Sequence, residues 1–224
     1  MFKKLSTIKD SLKNQIPGSD YKGSKSYPHE CKKRIVLSKI SEEGLEDMHE
    51  YSIMPEFYEF MNIKISQTKK DTADYIQKLL ERNKNGYKNG LAMYWFIREL
   101  ISNKVIGSIG IVGIDIKDKK AEIGYGLSPR YWGSGIIFEA LWLILKYCFE
   151  TLKLETINAE CDLNNLRTIS ILKAVGFEEN MAFKAKQSSS NEKKNNNIHF
   201  KLSKNKVNLV RCLSFAKITS DNWK

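Results

Sequence analysis

The sequence lacks the features that define membrane-spanning, secreted or metal-binding proteins. No stretch approaches the roughly 18 consecutive apolar residues that a membrane-spanning helix needs, and the start, MFKKLSTIKDSLKNQ, has no apolar run typical of a secretory signal. The three histidines are scattered, so no metal site is expected. The four cysteines form no C-x-x-C pair: Cys31, Cys148, Cys161 and Cys212. We therefore expect a cytoplasmic protein with reduced thiols and no metal.

Positive charge is concentrated near the two ends of the chain. The net charge is +11, of which +4 falls on residues 1–32, −1 on 33–183 and +8 on 184–224. A chain of 224 residues is long enough for one well-packed domain with appendages. The basic flanks suit RNA, a membrane surface or an anionic cofactor, but we favour solvated tails.

Both terminal segments are predicted to lie outside the main domain. Residues 1–32 combine a lysine-rich helical pattern with a linker at 17–33 that is rich in Pro, Gly and Ser. Such a helix would lie in a membrane interface or dock on a protein surface, and we favour docking. Residues 207–224 show no interpretable pattern. The main domain is therefore expected at 33–206.

From residue 34 the apolar pattern predicts an α/β sandwich with a mixed sheet. Ser41 is a candidate N-cap, and Thr68 and Asp71 have the spacing of a capping box. Strands are predicted at 34–40, 91–100, 104–115, 121–128, 155–163, 177–185 and 197–203. Helices are predicted at 41–54, from Thr68 onward, at 135–151 and at 165–175. The polar run QSSSNEKKNN is expected to be a mobile loop.

The strongest local signal is the junction AEIGYGLSPRYWGSGIIFEAL, a strand, a turn and then an amphipathic helix. A helix start offers unpaired N–H groups and a partial positive charge, which suit a phosphate group. Gly133 and Gly135 let the backbone approach such a ligand closely. The junction is neither a Walker A loop nor a Rossmann fingerprint, because the residues that define those motifs are absent. A plain strand-to-helix turn is the alternative.

Two blocks of sequence resemble the GNAT acetyltransferases, and in particular their RimJ/RimL-type branch. Residues 130–135, RYWGSG, fit the acetyl-CoA motif Q/R-x-x-G-x-G/A, with AEIGY before them and EAL at 139–141 after them. Residues 165–168, NLRT, followed by GF at 176–177, resemble the branch's N-x-x-S…GF signature. The resemblance is specific over about 104–178 and extends to 34–103.

The resemblance implies the GNAT fold, an α+β sandwich whose mixed, mostly antiparallel sheet is splayed between its fourth and fifth strands and flanked by helices. Acetyl-CoA would be the co-substrate, with its pantetheine paired to the backbone near Leu127. A backbone N–H there would polarise the thioester carbonyl. The expected cofactor contacts are Leu127, Arg130, Trp132, Gly133, Ser134, Gly135, Ile136 and Asn165. Asn165 is equally suited to cap a helix.

The amine would attack the thioester directly, so it must first lose a proton. An α-ammonium group has a pKa of about 8, so a carboxylate or a water chain is a sufficient base. Glu122, on the strand leading into the site, is the first candidate, and Glu160 or water is the alternative. A solvent-facing role is equally open for Glu122.

Thr168 stands where the branch has the serine that is thought to protonate the leaving thiolate. Threonine keeps the hydroxyl but adds a methyl group and a stiffer χ1, and a plain helix-surface role is the alternative. Many other GNAT enzymes have a tyrosine at the position of Leu172. A covalent acetyl-cysteine at Cys161 is not expected, because no histidine is near it in sequence.

The acceptor is a primary amine, either a small molecule (an amino sugar, a polyamine or an antibiotic) or a protein N-terminus. Helical segment 41–85 is expected to line the acceptor pocket with aromatics, or to use them as core: Tyr51, Phe57, Tyr58, Phe60 and Tyr75. The alternative function is a non-catalytic GNAT-fold module whose basic flanks contact RNA or a partner. A monomer or a homodimer is expected.

Overall fold

A mixed sheet of seven strands carries helices on both faces in the computed structural model, which describes residues 34–61, 65–89, 92–180 and 196–206. The strands are β1 Ile35–Lys39, β2 Met93–Glu99, β3 Val105–Asp115, β4 Lys120–Leu127, β5 Thr156–Asp162, β6 Glu178–Glu179 and β7 Asn197–Ser203. The helices are α1 Leu45–Ser52, α2 Lys69–Asn89, α3 Ile136–Lys146 and α4 Leu166–Val175. A π-helical turn, Tyr147–Thr151, continues α3, and single 3-10 turns lie at Glu42–Gly44, Pro55–Tyr58, Pro129–Tyr131 and Lys204–Lys206.

The sheet opens between β4 and β5. Its strand order is β1-β2-β3-β4-β5-β7-β6, and every neighbouring pair is antiparallel except β4 with β5. This parallel pairing runs only from Lys120 opposite Thr156 to Ile123 opposite Ala159, whereas β5 stays paired with β7 as far as Asp162. Residues 124–127 of β4 therefore have no partner in β5. The predicted fold and its splay are confirmed.

The sheet separates two apolar cores. Trp95 packs with α3 and α4 on one face, and its neighbour Phe96 packs with α1 and α2 on the other. Both side chains are almost fully buried, because successive residues of a strand point to opposite faces. The central strands are thus fixed from both sides, which makes them a rigid support for the loops at their ends.

The helix starts differ in how closely they follow the prediction. The capping box is confirmed at α2, where Asp71 Oδ2 accepts from the Thr68 amide at 2.9 Å and Thr68 Oγ1 accepts from the Asp71 amide at 3.2 Å. The helix predicted from Ser41 begins instead as a 3-10 turn, and the Ser41 side chain makes no capping bond. Gly44, a poor helix former, lies at the change from this turn to α1.

Several predictions concern residues outside the described ranges. The strand predicted at 177–185 contains the short β6, after which the Asn180 amide donates to the His199 carbonyl at 2.7 Å. Residues 181–195, with most of the predicted loop, lie outside the description, as do the segments 1–33 and 207–224. Within the described ranges, no helix combines the length and the hydropathy that a bilayer crossing requires.

Candidate active site

The loop after β4 presents an uncapped helix start. Gly133 and Gly135 have φ angles of 72° and 76°, in the left-handed region that favours glycine. Gly135 is the N-cap of α3, and no side chain among the described residues caps this helix. The Phe138 N–H donates to the Gly135 carbonyl at 3.1 Å, so the N–H groups before it in the first turn of α3 are the ones that could bind an anion.

A cavity of about 600 Å³ adjoins this loop and draws its walls from both sides of the sheet. Its lining residues are Glu56, Phe57, Phe60, Met61, Tyr125, Gly126, Leu127, Tyr131, Trp132, Gly133, Gly135, Ile136, Ile137, Phe138, Asn165, Arg167, Thr168, Ser170, Ile171 and Ala174. The cavity thus joins the glycine loop, the start of α4 and the aromatic segment around the Pro55–Tyr58 turn. It lies where the sheet opens.

Two of the predicted cofactor residues lie outside the cavity wall. Arg130 forms an ion pair with Glu50 of α1, and Lys104 forms another with the same carboxylate. These pairs lower the pKa of Glu50, with the Lys104 hydrogen bond as the largest cause. Ser134 turns its hydroxyl to the Tyr131 carbonyl at 2.5 Å. The other six predicted contacts line the cavity: Leu127, Trp132, Gly133, Gly135, Ile136 and Asn165.

Arg167, on α4, contacts two other segments of the cavity wall. Its guanidinium lies 3.9 Å from the centroid of the Trp132 ring, and its Nη2 donates to Glu59 Oε2 at 2.9 Å. Trp132 in turn donates from Nε1 to the Leu127 carbonyl at 2.9 Å. One side chain thus joins α4 to the glycine loop and to the segment that follows the Pro55–Tyr58 turn, and the sequence does not predict this bridge.

Thr168 lies in the cavity wall beside a buried phenol. Asn165 Oδ1 accepts from the Thr168 amide at 3.0 Å, which confirms Asn165 as the N-cap of α4. Burial raises the pKa of Tyr125, and the Thr168 side chain partly opposes this shift. Tyr125 is absent from the predicted site, although it shares a face of β4 with Leu127 at the spacing of two that marks a strand.

The two candidate bases lie on the other face of the sheet. Glu122 alternates with the buried Ala121 and Ile123, so it shares a face with Gly126, where an added Cβ would meet Phe57 at 2.9 Å. Burial raises the pKa of Glu122, as does the charge of Glu160 on β5, while His199 opposes both. Neither carboxylate lines the cavity.

Glu160 is held by the neighbouring strand β7. It accepts a hydrogen bond from Asn197 Nδ2, and its Oε2 lies 3.6 Å from His199 Nδ1. No sequence motif marks His199, but the register of β5 on β7 places it directly opposite Glu160. Among the described residues no cluster of three or more His, Cys, Asp or Glu side chains is arranged to hold a metal ion.

Cys161 is poorly suited to covalent catalysis. Burial, with the nearby charges of Asp162 and Glu160, raises the pKa of its thiol to about 11. The thiolate is the nucleophilic form, and it is scarce at neutral pH when the pKa is that high. Direct attack by the amine is therefore the simpler chemistry at this site.

An open α+β sheet with a glycine-rich helix start at its splay defines an acyl-CoA transferase type of site. Residues 34–178 match the family described as acetyltransferase (GNAT) domain. The N-acetyltransferase p20 of Bacillus licheniformis is 30% identical over 146 residues, covering 65% of this chain and 80% of the relative. The ribosomal-protein-serine acetyltransferase of Escherichia coli strain K12 is 27% identical over 111 residues, covering 50% of this chain and 59% of the relative.

A solved structure agrees with these sequence relatives. Mycobacterium smegmatis RimJ in complex with CoA-disulfide has a TM-score of 0.65 at 14% identity, over 82% of this chain and 89% of that one. This chain belongs to the GNAT family, in its RimJ/RimL-type branch, and is an acetyl-CoA-dependent N-acetyltransferase. The family match covers the part of the chain that carries both motifs.

Proposed function

We propose that this enzyme acetylates the α-amine of a protein N-terminus, with a ribosomal protein as the first candidate acceptor. The Escherichia coli relative is named for ribosomal-protein acetylation. The observation that carries the proposal is the cavity, which joins the glycine loop, Thr168 and an aromatic wall in one space. A donor bound at the loop and an amine entering past the aromatic wall would meet there.

The charge of the acceptor wall supports a cationic acceptor. The segment 54–61, MPEFYEFM, contains Glu56 and Glu59 and no basic residue, and Glu56 lines the cavity. The net charge of +11 on the whole chain therefore does not decide which acceptors the site attracts. Carboxylates close to the cavity act on an acceptor more strongly than distant basic residues, whose charge is screened by salt. Glu59 is already paired with Arg167, which also lines the cavity, so the attraction for an ammonium group rests on Glu56.

In the proposed reaction the amine nitrogen attacks the acetyl carbonyl, a C–N bond forms and the C–S bond breaks. The amine proton passes to Glu122, directly or through water, or to Glu160. The raised pKa of Glu122 makes it a stronger base than an ordinary glutamate. Glu122 shares a face of β4 with Gly126, on which Phe57 packs, and this supports a base on the acceptor side.

Thr168 is proposed to donate its hydroxyl proton to the leaving thiolate. Its place in the cavity wall supports this role. Water then returns a proton to the threonine oxygen, while Tyr125, whose pKa burial raises, stays neutral beside it. The hydrogen bond that the Thr168 amide donates to Asn165 Oδ1 fixes the backbone that carries the hydroxyl.

Release of the CoA thiol from acetyl-CoA, measured with a thiol reagent, tests the proposal against a panel of acceptors. The panel contains peptides with ribosomal-protein N-termini, the same peptides with blocked α-amines, polyamines and amino sugars. We expect turnover with the free peptides and none with the blocked ones. Turnover only with polyamines or amino sugars would show that the acceptor is a small amine and not a protein N-terminus. Binding without any turnover would favour the non-catalytic module that contacts RNA or a partner.

The unit that carries this function is proposed to be residues 33–206. The family match ends at residue 178, but β7 completes the sheet beside β5 and supplies the contacts to Glu160. We also propose a cytoplasmic location, because the two described cysteines, Cys148 and Cys161, are both free.

A further inference from the structure

Glu139 is a buried charge in the first turn of α3. Its exposure is 7%, and it is the one carboxylate among the described residues that is buried to this degree. A buried ionised carboxylate is costly unless it is paired and hydrogen-bonded. Its contacts therefore indicate what the fold uses it for.

Both oxygens of Glu139 are bound by a single residue. Arg34 donates from Nε to Oε1 at 2.5 Å and from its backbone amide to Oε2 at 3.1 Å. The same guanidinium donates from Nη1 to the Ser134 carbonyl at 2.6 Å. Arg34, which precedes β1, is thus bonded both to the first turn of α3 and to the glycine loop that leads into α3.

The Ser134 carbonyl sets the direction of one N–H group in that loop. It belongs to the same peptide unit as the Gly135 N–H, and in a trans peptide the two groups point in opposite directions. A carbonyl held by Arg34 therefore turns the Gly135 N–H to the other side. At Gly133 an added Cβ would meet nothing within 4 Å, so packing on that side does not fix the loop.

We infer that Arg34 and Glu139 are positioning residues that hold the glycine loop in the orientation that binds the donor's pyrophosphate. Glu139 orients the guanidinium, and the guanidinium orients the peptide between Ser134 and Gly135. This inference rests on the proposed function only in that the anion at the loop is the pyrophosphate of acetyl-CoA. Glu139 is the first residue of the EAL segment that follows the loop, so the inference assigns that segment the role of orienting Arg34.

The test compares two donors that differ in the pyrophosphate. Arg34→Lys keeps a positive charge for the buried carboxylate, but one ammonium cannot reproduce the planar fork that binds both Glu139 and the Ser134 carbonyl. We expect KM for acetyl-CoA to rise about tenfold, the effect of losing one hydrogen bond from a charged group. KM for S-acetyl-pantetheine, which lacks the pyrophosphate, should change less than about twofold. Glu139→Gln should act in the same direction.

A further variant, Arg34→Met, removes the guanidinium and its charge, and Arg98→Met is its matched control. Arg98 also donates from Nε to a side-chain oxygen, on Ser38, and from Nη1 to a turn carbonyl, that of Asn103, but it does not line the cavity. The control should lose stability without changing either KM. Equal losses with both donors in the Arg34 variants, or wild-type KM values throughout, would overturn the inference.

Calorimetric binding of CoA and of pantetheine separates this inference from the proposed function. If no acceptor is ever acetylated, the Arg34 variants should still bind CoA about tenfold more weakly and pantetheine normally. Unchanged CoA affinity would overturn the positioning role by itself. Should Arg34→Met fail to fold, Arg34→Lys and Glu139→Gln carry the same comparison.

Discussion

Gly135→Asp is the sharpest perturbation of the donor site. Gly135 has a φ of 76° and is the N-cap of α3. An L-residue in this left-handed conformation costs about 1–2 kcal/mol, and for a domain of this size 1 kcal/mol lowers Tm by about 2–4 °C. The ligand-free variant should therefore melt roughly 2–8 °C below the wild type. The aspartate also places a negative charge where the pyrophosphate is expected.

The assay is the shift in Tm that acetyl-CoA produces. A ligand at 100 times its Kd stabilises the folded state by about 2.7 kcal/mol, which corresponds to roughly 5–10 °C here. Wild type should show this shift and Gly135→Asp should not. Gly135→Ala adds the backbone strain without the charge, so it should lose stability but keep most of the shift.

Gly176→Asp is the matched control for position. Gly176 also has a left-handed φ, 106°, but it is the C-cap of α4 and does not line the cavity. It should destabilise the enzyme by a similar amount and leave the acetyl-CoA shift intact. If Gly135→Asp still shows the full acetyl-CoA shift in Tm, the pyrophosphate binds elsewhere. If Gly176→Asp also loses the shift, the loss in Gly135→Asp cannot be attributed to the pyrophosphate site.

Three further predictions concern the proton transfers and the domain boundary. Thr168→Ser should keep the rate of acetyl transfer and Thr168→Val should lose about 10²-fold, with acetyl-CoA affinity unchanged in both. A wild-type rate in the valine variant would show that the hydroxyl is not used. Glu122→Gln should slow the reaction at neutral pH and recover at higher pH, where more amine is already deprotonated. An unchanged pH–rate profile would transfer the role to Glu160 or water. Deletion of residues 1–30 should leave the acetyl-CoA shift in Tm intact, and its loss would move the domain boundary.

The order of the elements could be predicted because it depends on local pattern. Alternating apolar residues mark the strands, the Thr68–Asp71 spacing marks a helix start, and two glycines mark the turn into α3. The family motifs then supply the splay, since periodicity alone does not say which strands pair. Confirmed features are thus those that neighbouring residues or a family signature encode.

The contacts that build the site could not be predicted in the same way. Arg34 and Glu139 are 105 residues apart, and Arg167 and Glu59 are 108 apart. No local periodicity connects such pairs, because only the folded sheet brings them together. The aromatic residues show the same limit: Phe60 lines the cavity, Phe57 both lines it and belongs to the core on that face, and Tyr51, Tyr58 and Tyr75 pack only in that core. Composition does not separate the two groups.

The alternation of β4 explains how one strand can serve both halves of the proposed reaction. Tyr125 and Leu127 face α3 and α4, on the side of Thr168, whereas Glu122 and Gly126 face the side that Phe57 covers. A thioester lying along the open edge of β4 would then have its sulfur near the hydroxyls and its carbonyl accessible to an amine from the opposite face. Phe57 packs so closely on Gly126 that any larger residue at 126 would displace it from this face. Removal of a proton on one face and return of a proton on the other would thus follow from the period of two along a single strand.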